Sequence, residues 1–296
     1  MKSNTAFHRL SARDLNRNVP ADLWAQRCFV DKVCPPHDHD FIEIALVLGG
    51  RGRHASPQGE QELAVGDVIV LRPGTWHSYF DCCRLDVFNC SFGVEMLHRE
   101  LAHVVSHPAL HYLFWAGPLA MNRRGLVALH IESAAQHCCQ HYLEALQSKQ
   151  GSSIEQLGNL LLFLGQLARA VEDQVPAQST LGVHLHPLVR EGVRLLENDV
   201  AHTWTLGELA ARLHIDRCHL SRLFTSGTGL APMAYLARCR AERAAMLLLR
   251  TDEPVGEVGR TVGWPDPNYF ARRFKAHFNL SASQYREQFT RAVAHR

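Results

Sequence analysis

A chain of 296 residues, 46% hydrophobic and 20% charged, has an ordinary globular composition and is long enough to bury a core in each of two domains. Its longest apolar block, Leu160–Leu164, is far too short for a helical membrane span. The net charge of +2 excludes a polyelectrolyte chain but is unevenly placed: residues 186–296 hold 16 Lys and Arg against 11 Asp and Glu, and the first 185 hold 15 against 18. Nine cysteines, with no Cys-x-x-Cys and no secretory leader after Lys2, predict reduced thiols in a cytoplasmic protein.

Residues 1–25 lack strong periodicity and read as an arm lying over the domain behind it. β-rich runs then come at Cys28–Val33, Phe41–Leu48, Gly52–Ala55, Glu62–Val65, Val68–Leu71, His77–Phe80 and Leu85–Phe92, divided by Pro- and Gly-containing turns, the pattern of a small barrel. Within them stands His37-Asp-His39-x-x-x-Glu43, and later Pro73-Gly74 and His77. On one strand, positions 37, 39, 41 and 43 share a face, and a turn at Pro73-Gly74 brings His77 opposite them. Three imidazoles and a carboxylate suit a divalent transition metal such as Zn, Ni, Fe or Mn. The same groups serve equally to hydrogen-bond a small molecule without metal, or one another. Phe41, His54 and Trp76 are candidate pocket walls.

From Glu95 the pattern turns helical, with helices expected over Met96–Val105, Gly125–Ser148 and Ile154–Val171. In the last, Leu157, Leu160 or Leu161, Leu164, Leu167 and Val171 form a seam that packs against the barrel or against a second copy of itself. Glu172–His186 reads as a linker, and Pro187–Asp199 as the first helix of a new domain.

Residues 205–289 hold one plan twice. Leu206, Leu209, Ala210 and Leu213 make an apolar stripe, the helix stops at His214, and Asp216 caps a second helix that buries Leu220, Leu223 and Phe224. Val255, Val258 and Val262 repeat the stripe; Gly263 supplies a left-handed turn, Asp266 caps, Pro267 opens the helix, and Phe270 and Phe274 are buried. Pro232–Arg250 is the long helix between them. A helix-turn-helix pair of this kind can lay its second helices in the major groove. The polar faces left for base edges are Arg217, Cys218, Ser221 and Arg222 in the first unit and Pro267, Asn268, Ala271, Arg272 and Arg273 in the second, with Lys275 and Arg286 for phosphate.

This stretch resembles the DNA-binding domain of AraC/XylS-type transcription regulators through Leu209-Ala210, Leu220-Ser-Arg-Leu-Phe224, Gly229-Leu-Ala-Pro232, Tyr235-Leu236, Arg240-Ala-Glu-Arg-Ala244, Gly263-Trp264, Tyr269-Phe270, Phe274 and Tyr285-Arg286. It departs at Trp264, Asn279 and Ala282, where the family usually has Phe, Gly and Pro; Asn tolerates the left-handed conformation, so the turn after Phe278 is expected to survive. The His37–Glu43 and Pro73–His77 segments resemble the two motifs of the cupin barrel, whose metal-bearing members use three His and one Glu at these places. The resemblance implies an α+β chain: a cupin-like effector-binding barrel with its arm over 1–110, a helical dimerisation region over 111–171, a linker over 172–186, and an all-α domain with two helix-turn-helix units over 187–296.

The implied partners are double-stranded promoter DNA, a small-molecule effector, a second copy of the chain and RNA polymerase. The effector site takes His37, His39, Glu43, His54, Trp76 and His77, of which His37, His39, Glu43 and His77 are the metal set. Asp86-Val-Phe-Asn-Cys90 and the His-rich barrel entry are similar to regulators of rhamnose and related sugar use, which makes a saccharide the expected effector. Two other functions fit parts of the sequence: a metal-dependent cupin enzyme, for which no further acid, base or nucleophile stands at a recognisable spacing, and a thiol sensor built on Cys82-Cys83 or Cys138-Cys139.

Overall fold

Long runs of β-formers interrupted by single polar residues give fewer, longer strands than the sequence suggests. In the computed structural model, which describes residues 23–39, 41–97, 99–104, 107–119, 125–148, 152–175 and 186–290, β1 is Leu23–His37, β2 Ile42–Ser56, β3 Gly59–Leu63, β4 Asp67–Leu71, β5 His77–Phe92 and β6 Leu126–His130. The arm up to residue 22 and linker positions 176–185 lie outside the described residues. All pairings are antiparallel, in the order β1-β5-β2-β4-β6, with β3 returning on β2. Positive φ at Lys32 (73°), Gly50 (74°), Asp81 (50°) and Arg84 (49°) coincides with register shifts in β1, β2 and β5, so these strands bend without ending.

Both faces of the sheet are buried, which explains the apolar run at 44–48. Ala45, Val47, Ile69, Leu71, Val87 and Leu126 share the inner face and its core; Glu43, registered against Leu71 and Ser91, continues that face at its polar end. The opposite face carries Ile42, Ile44, Val68, Val70, Phe88 and Phe92. Phe92 there meets Phe114 of the helical segment 108–119 edge to face at 5.7 Å.

Two expected helices are corrected. Leu126–His130, placed at the start of one helix over 125–148, is instead strand β6 on β4, and the helix, α1, covers only Ser133–Gln147. A five-residue apolar run carries no period that separates the two alternatives. Over Met96–Val105 the described residues form a 3-10 turn at Val94–Leu97 and further hydrogen-bonded turns. The free edge of β6 is blunted by two glutamines: Gln58 Nε2 donates to the Leu126 carbonyl at 2.7 Å, while Gln174 accepts from His130 N at 3.0 Å and donates to its carbonyl at 2.5 Å.

Helix α2, Ser153–Ala170, opens on a reciprocal cap between Ser152 and Glu155. Its seam of Leu160, Phe163, Leu164 and Leu167 is buried within the chain, α2 packing along α1 against Cys139, Leu143 and Leu146.

The described chain forms two compact units, residues 23–118 with 125–175 and residues 186–290. The second is all helical: α3 Pro187–Asn198, α4 Leu206–Arg212, α5 Arg217–Thr228, α6 Pro232–Arg250, α7 Val255–Thr261, α8 Pro267–Phe278 and α9 Ala282–Thr290. Helix α6 touches α3, α5, α7, α8 and α9, and Arg240 on it donates to the carbonyls of Val200 at 2.7 Å and His202 at 2.6 Å, just beyond α3.

Candidate functional site

The polar end of the barrel is built by closure of β1 on β5. Positions 37 to 43 are not one strand: β1 ends at His37 and β2 begins at Ile42, so His37 and Glu43 arrive from different strands. His37 is registered opposite His77, the first residue of β5, and their rings lie 4.2 Å apart. His39 stacks on Phe41 at 4.4 Å, and its Nδ1 hydrogen-bonds the Phe41 carbonyl at 2.9 Å, so Nε2 is its ligand atom. His77 Nε2 stands 3.6 Å from Glu43 Oε1, and both side chains are enclosed.

His39, Glu43 and His77 offer donor atoms within 4.8 Å of one another. His37, the fourth member of the expected set, is not in that group; its Nδ1 is held by the Pro35 carbonyl at 2.9 Å. The three donors fit a divalent transition metal on their own chemistry, because Glu43 Oε1 and both ring nitrogens of His77 are buried without a hydrogen bond. His54 reaches the same cluster from β2, its ring 5.6 Å from His77 and 5.4 Å from Tyr79. Phe41 is buried against Trp24, and Trp76 is half-buried next to His77 in sequence.

Burial sets the charge here. It pushes the Glu43 carboxyl up to about 8 and, with His37 nearby, the His54 imidazole down to about 3; burial and then the surrounding imidazoles hold His77 well below the usual histidine range. At neutral pH Glu43, His54 and His77 are therefore polar but uncharged. Sequence reading missed two members. Tyr79, with a buried hydroxyl lacking a hydrogen bond, was accessible from the two-residue period after His77; Ser91, opposite Glu43, required the pairing register.

In each thiol pair one member is buried and the other, Cys83 or Cys138, is exposed. All nine cysteines are free, and burial pushes Cys82 up to about 11 and Cys139 up to about 12, away from a reactive thiolate.

In the helical unit the duplicated plan repeats in helix length and in the placing of its left-handed residues. Helices α4 and α7 each have 7 residues, α5 and α8 each have 12. The turns use left-handed residues at matching places, His214 at φ 52° and Gly263 at φ 84°, and the reading helices end on left-handed Gly229 (76°) and Asn279 (58°). Gly263 also lies so close to Ala201 that a Cβ would sit 2.6 Å from its carbonyl oxygen. Asp216 accepts from the amides of Cys218 at 2.8 Å and His219 at 3.1 Å, and Asp266 from Tyr269 at 2.5 Å. Asp216→Ala is expected to cost about 0.5–2 kcal/mol of helical-unit stability, read as a lower urea midpoint with unchanged slope.

Leu220, Phe224, Phe270 and Phe274 point into the core. Arg217, Cys218 and Arg222 are exposed on α5 and Ser221 is half-buried; on α8, Pro267, Asn268, Ala271, Arg272, Arg273 and Lys275 are all exposed. His219 and Tyr269, not singled out from sequence, share these faces. Arg286 does not serve phosphate: its guanidinium donates to the carbonyls of Leu248 at 2.9 Å and Thr251 at 3.3 Å, capping the end of α6. The arrangement presents two capped helix N-termini, each bearing exposed arginines, to a ligand of groove dimensions.

Comparison with known proteins agrees with both halves. Residues 25–164 match the AraC-like ligand binding domain and residues 209–288 a helix-turn-helix domain. The chain is 25% identical over 277 residues to the HTH-type transcriptional activator RhaR of Klebsiella pneumoniae, covering 93% of this chain and 92% of that one. It is 25% identical over 257 residues to RhaS of Pectobacterium carotovorum, covering 86% and 88%. The match to the lactose operon transcription activator of Staphylococcus xylosus, 29% over 132 residues, spans 44% of this chain and 47% of that protein. ToxT from Vibrio cholerae shares the fold at a TM-score of 0.52 and 11% identity, covering 91% of this chain and 99% of that one. With a ligand-binding barrel ahead of a duplicated helix-turn-helix domain, the chain belongs to the AraC/XylS-type transcription regulators.

Proposed function

We propose that this protein is a cytoplasmic transcription activator that responds to a saccharide bound at the polar end of its barrel. The observation that carries the reading is the enclosed, uncharged cluster of Glu43, His54, His77 and Tyr79, whose donors and acceptors suit hydroxyl groups better than a charged ligand. The activator names of RhaR, RhaS and the lactose operon protein support a sugar. Among the described residues no helix is long and apolar enough to cross a membrane. The effector acts by binding one arrangement of the protein more tightly than another, since equal affinity shifts nothing; the DNA-bound arrangement then contacts RNA polymerase. A ligand at 100 times its Kd adds about 2.7 kcal/mol to folding stability, so a melting screen against monosaccharides is expected to show one family of sugars raising Tm. Flat melting across the screen would remove the saccharide.

The same proposal includes a homodimer through the outer face of α2. With its seam buried on α1, this helix still exposes Ile154 (80%) and Leu162 (50%), and a Cβ at Gly158 or Gly165 would meet open space. Two copies crossing antiparallel at Leu162 bring Glu155 of one opposite the partner's Arg169, because those positions lie equally far from Leu162. Leu162→Glu is expected to shift the sedimenting species from dimer to monomer while the melting temperature of the barrel holds. An unchanged dimer would place the interface elsewhere.

A further inference from the structure

We infer that this protein carries a second ligand site, on the outer face of its sheet, for a small organic dicarboxylate with a flat apolar body. A cavity of about 500 Å³, the size of small-molecule sites in general, is lined by Phe29 of β1, Gly49, Gly50 and Arg51 of β2, and Arg84 and Asp86 of β5. It is not the barrel interior. Val87 belongs to the inner core, so its neighbour Asp86 points to the opposite side of the sheet. Phe29 and Gly49 are registered on either side of Asp86, and a Cβ on Gly49 would stand 3.7 Å from that of Asp86, so all three share this outer side. Along β2, Gly49 also lies six residues beyond Glu43, roughly 20 Å of extended strand away from the polar cluster.

The charges around the cavity are only partly matched. Arg27 donates to both oxygens of Asp86, at 2.9 and 2.7 Å, and stands 5.4 Å from the centre of the Phe29 ring. Asp31, which borders Arg84, accepts from its backbone amide at 3.1 Å. The guanidiniums of Arg51 and Arg84 are exposed and have no hydrogen bond or ion pair among the described residues. Both arginines are carried by strands rather than by a loop: Arg51 is registered opposite Cys83, and the register shifts on either side of Gly49, with left-handed Arg84 (φ 49°), re-aim the side chains there. A guanidinium pairs with a carboxylate through two parallel hydrogen bonds, so two unengaged forks on one cavity call for two carboxylates. Beside them Phe29 is left 71% exposed, a ring face open to stacking. The hollow itself is set by the backbone, because a Cβ at Gly50, which has φ 74°, would stand 2.0 Å from the Arg84 carbonyl oxygen.

The test uses the full chain with isophthalate as an aromatic dicarboxylate, succinate as an aliphatic one and inorganic phosphate as a bare anion. Cys83 lines the cavity and is exposed, as are Cys138 and Cys218 elsewhere, so alkylation by iodoacetamide, read peptide by peptide, reports occupancy with internal references. Isophthalate is expected to protect Cys83 in proportion to the amount bound, to leave Cys138 and Cys218 unchanged, and to bind once per chain by calorimetry. Arg51→Gln and Arg84→Gln are each expected to weaken isophthalate about 10- to 100-fold, the loss of one charged hydrogen-bonding group, with Tm unchanged. Phe29→Ala is expected to weaken isophthalate and to leave succinate as it was, and His54→Ala, at the polar end of the barrel, to bind isophthalate as the wild type does. Protection by phosphate equal to that by isophthalate, or protection that survives in the Arg51→Gln/Arg84→Gln double variant, would overturn the dicarboxylate. Equal losses for both dicarboxylates in Phe29→Ala would overturn the apolar body, and loss of binding in His54→Ala would move the ligand into the barrel. Unprotected Cys83 and no heat with either dicarboxylate at millimolar concentration would overturn the site.

Discussion

Replacing Arg222 and Arg272 together with alanine is expected to weaken binding to the specific operator by about 2–6 kcal/mol, roughly 30-fold to 10⁴-fold, while leaving affinity for random duplex within a few-fold. Each arginine is exposed on its reading helix, one turn or more past the capped N-terminus, where a guanidinium can make a paired contact to a guanine edge worth about 1–3 kcal/mol. The two residues belong to different helix-turn-helix units and share no partner, so their losses add. Neither contributes to a core, so Tm is expected to stay within the roughly 0.5 kcal/mol typical of surface changes. Lys275→Ala serves as the contrast: a phosphate contact weakens all sequences alike and lowers the salt slope by about one. Equal losses for the double variant on specific and random DNA, measured by fluorescence anisotropy, would reassign both arginines to the backbone.

Phe274→Ala is expected to abolish DNA binding by a different route. The ring is fully enclosed, with centroids 5.7 Å from Phe270, 4.7 Å from Phe278 and 5.3 Å from Tyr285. Truncating a buried Phe costs about 3–5 kcal/mol, which is a large share of the roughly 5–15 kcal/mol that holds a domain together. Calorimetry should place the helical unit's transition roughly 12 °C or more lower, and DNA affinity should recover in part on cooling toward the temperature of maximum stability. A variant with wild-type Tm and lost binding would mean that Phe274 acts at the DNA surface and that the packing described for α8 is wrong.

The helical unit is legible in the sequence because its signals are local: Asp216 and Asp266 cap, Gly263 turns, Pro267 opens a helix, and Asn279 takes the left-handed conformation its short amide tolerates. Arg286 is misread from sequence because an arginine on an exposed helix face has the same local signature whether it meets phosphate or carbonyls of α6; only packing decides. The seam of α2 poses the same ambiguity, since burial on α1 and burial on a second copy demand one and the same apolar stripe.

In the barrel, alternation finds the strands but not their ends. Asp81 and Arg84, in the gap between two expected runs, look like breaks, yet with Lys32 they are left-handed residues at register shifts that carry the chain through without ending a strand. His39, Glu43 and His77 are legible from spacing; the departure of His37 is not, because it results from β1 stopping there and facing β5. Ser91 enters the cluster through register, which no single stretch of sequence encodes.

The most direct measurement is titration of the full chain, at about 0.15 M salt and with each candidate sugar and metal present in turn, against duplex from its own upstream region and against a scrambled duplex of equal composition. Paired reading helices of this kind predict a preference of about 10³-fold or more for the upstream sequence under at least one condition. Equal affinity for both duplexes under every condition would contradict it.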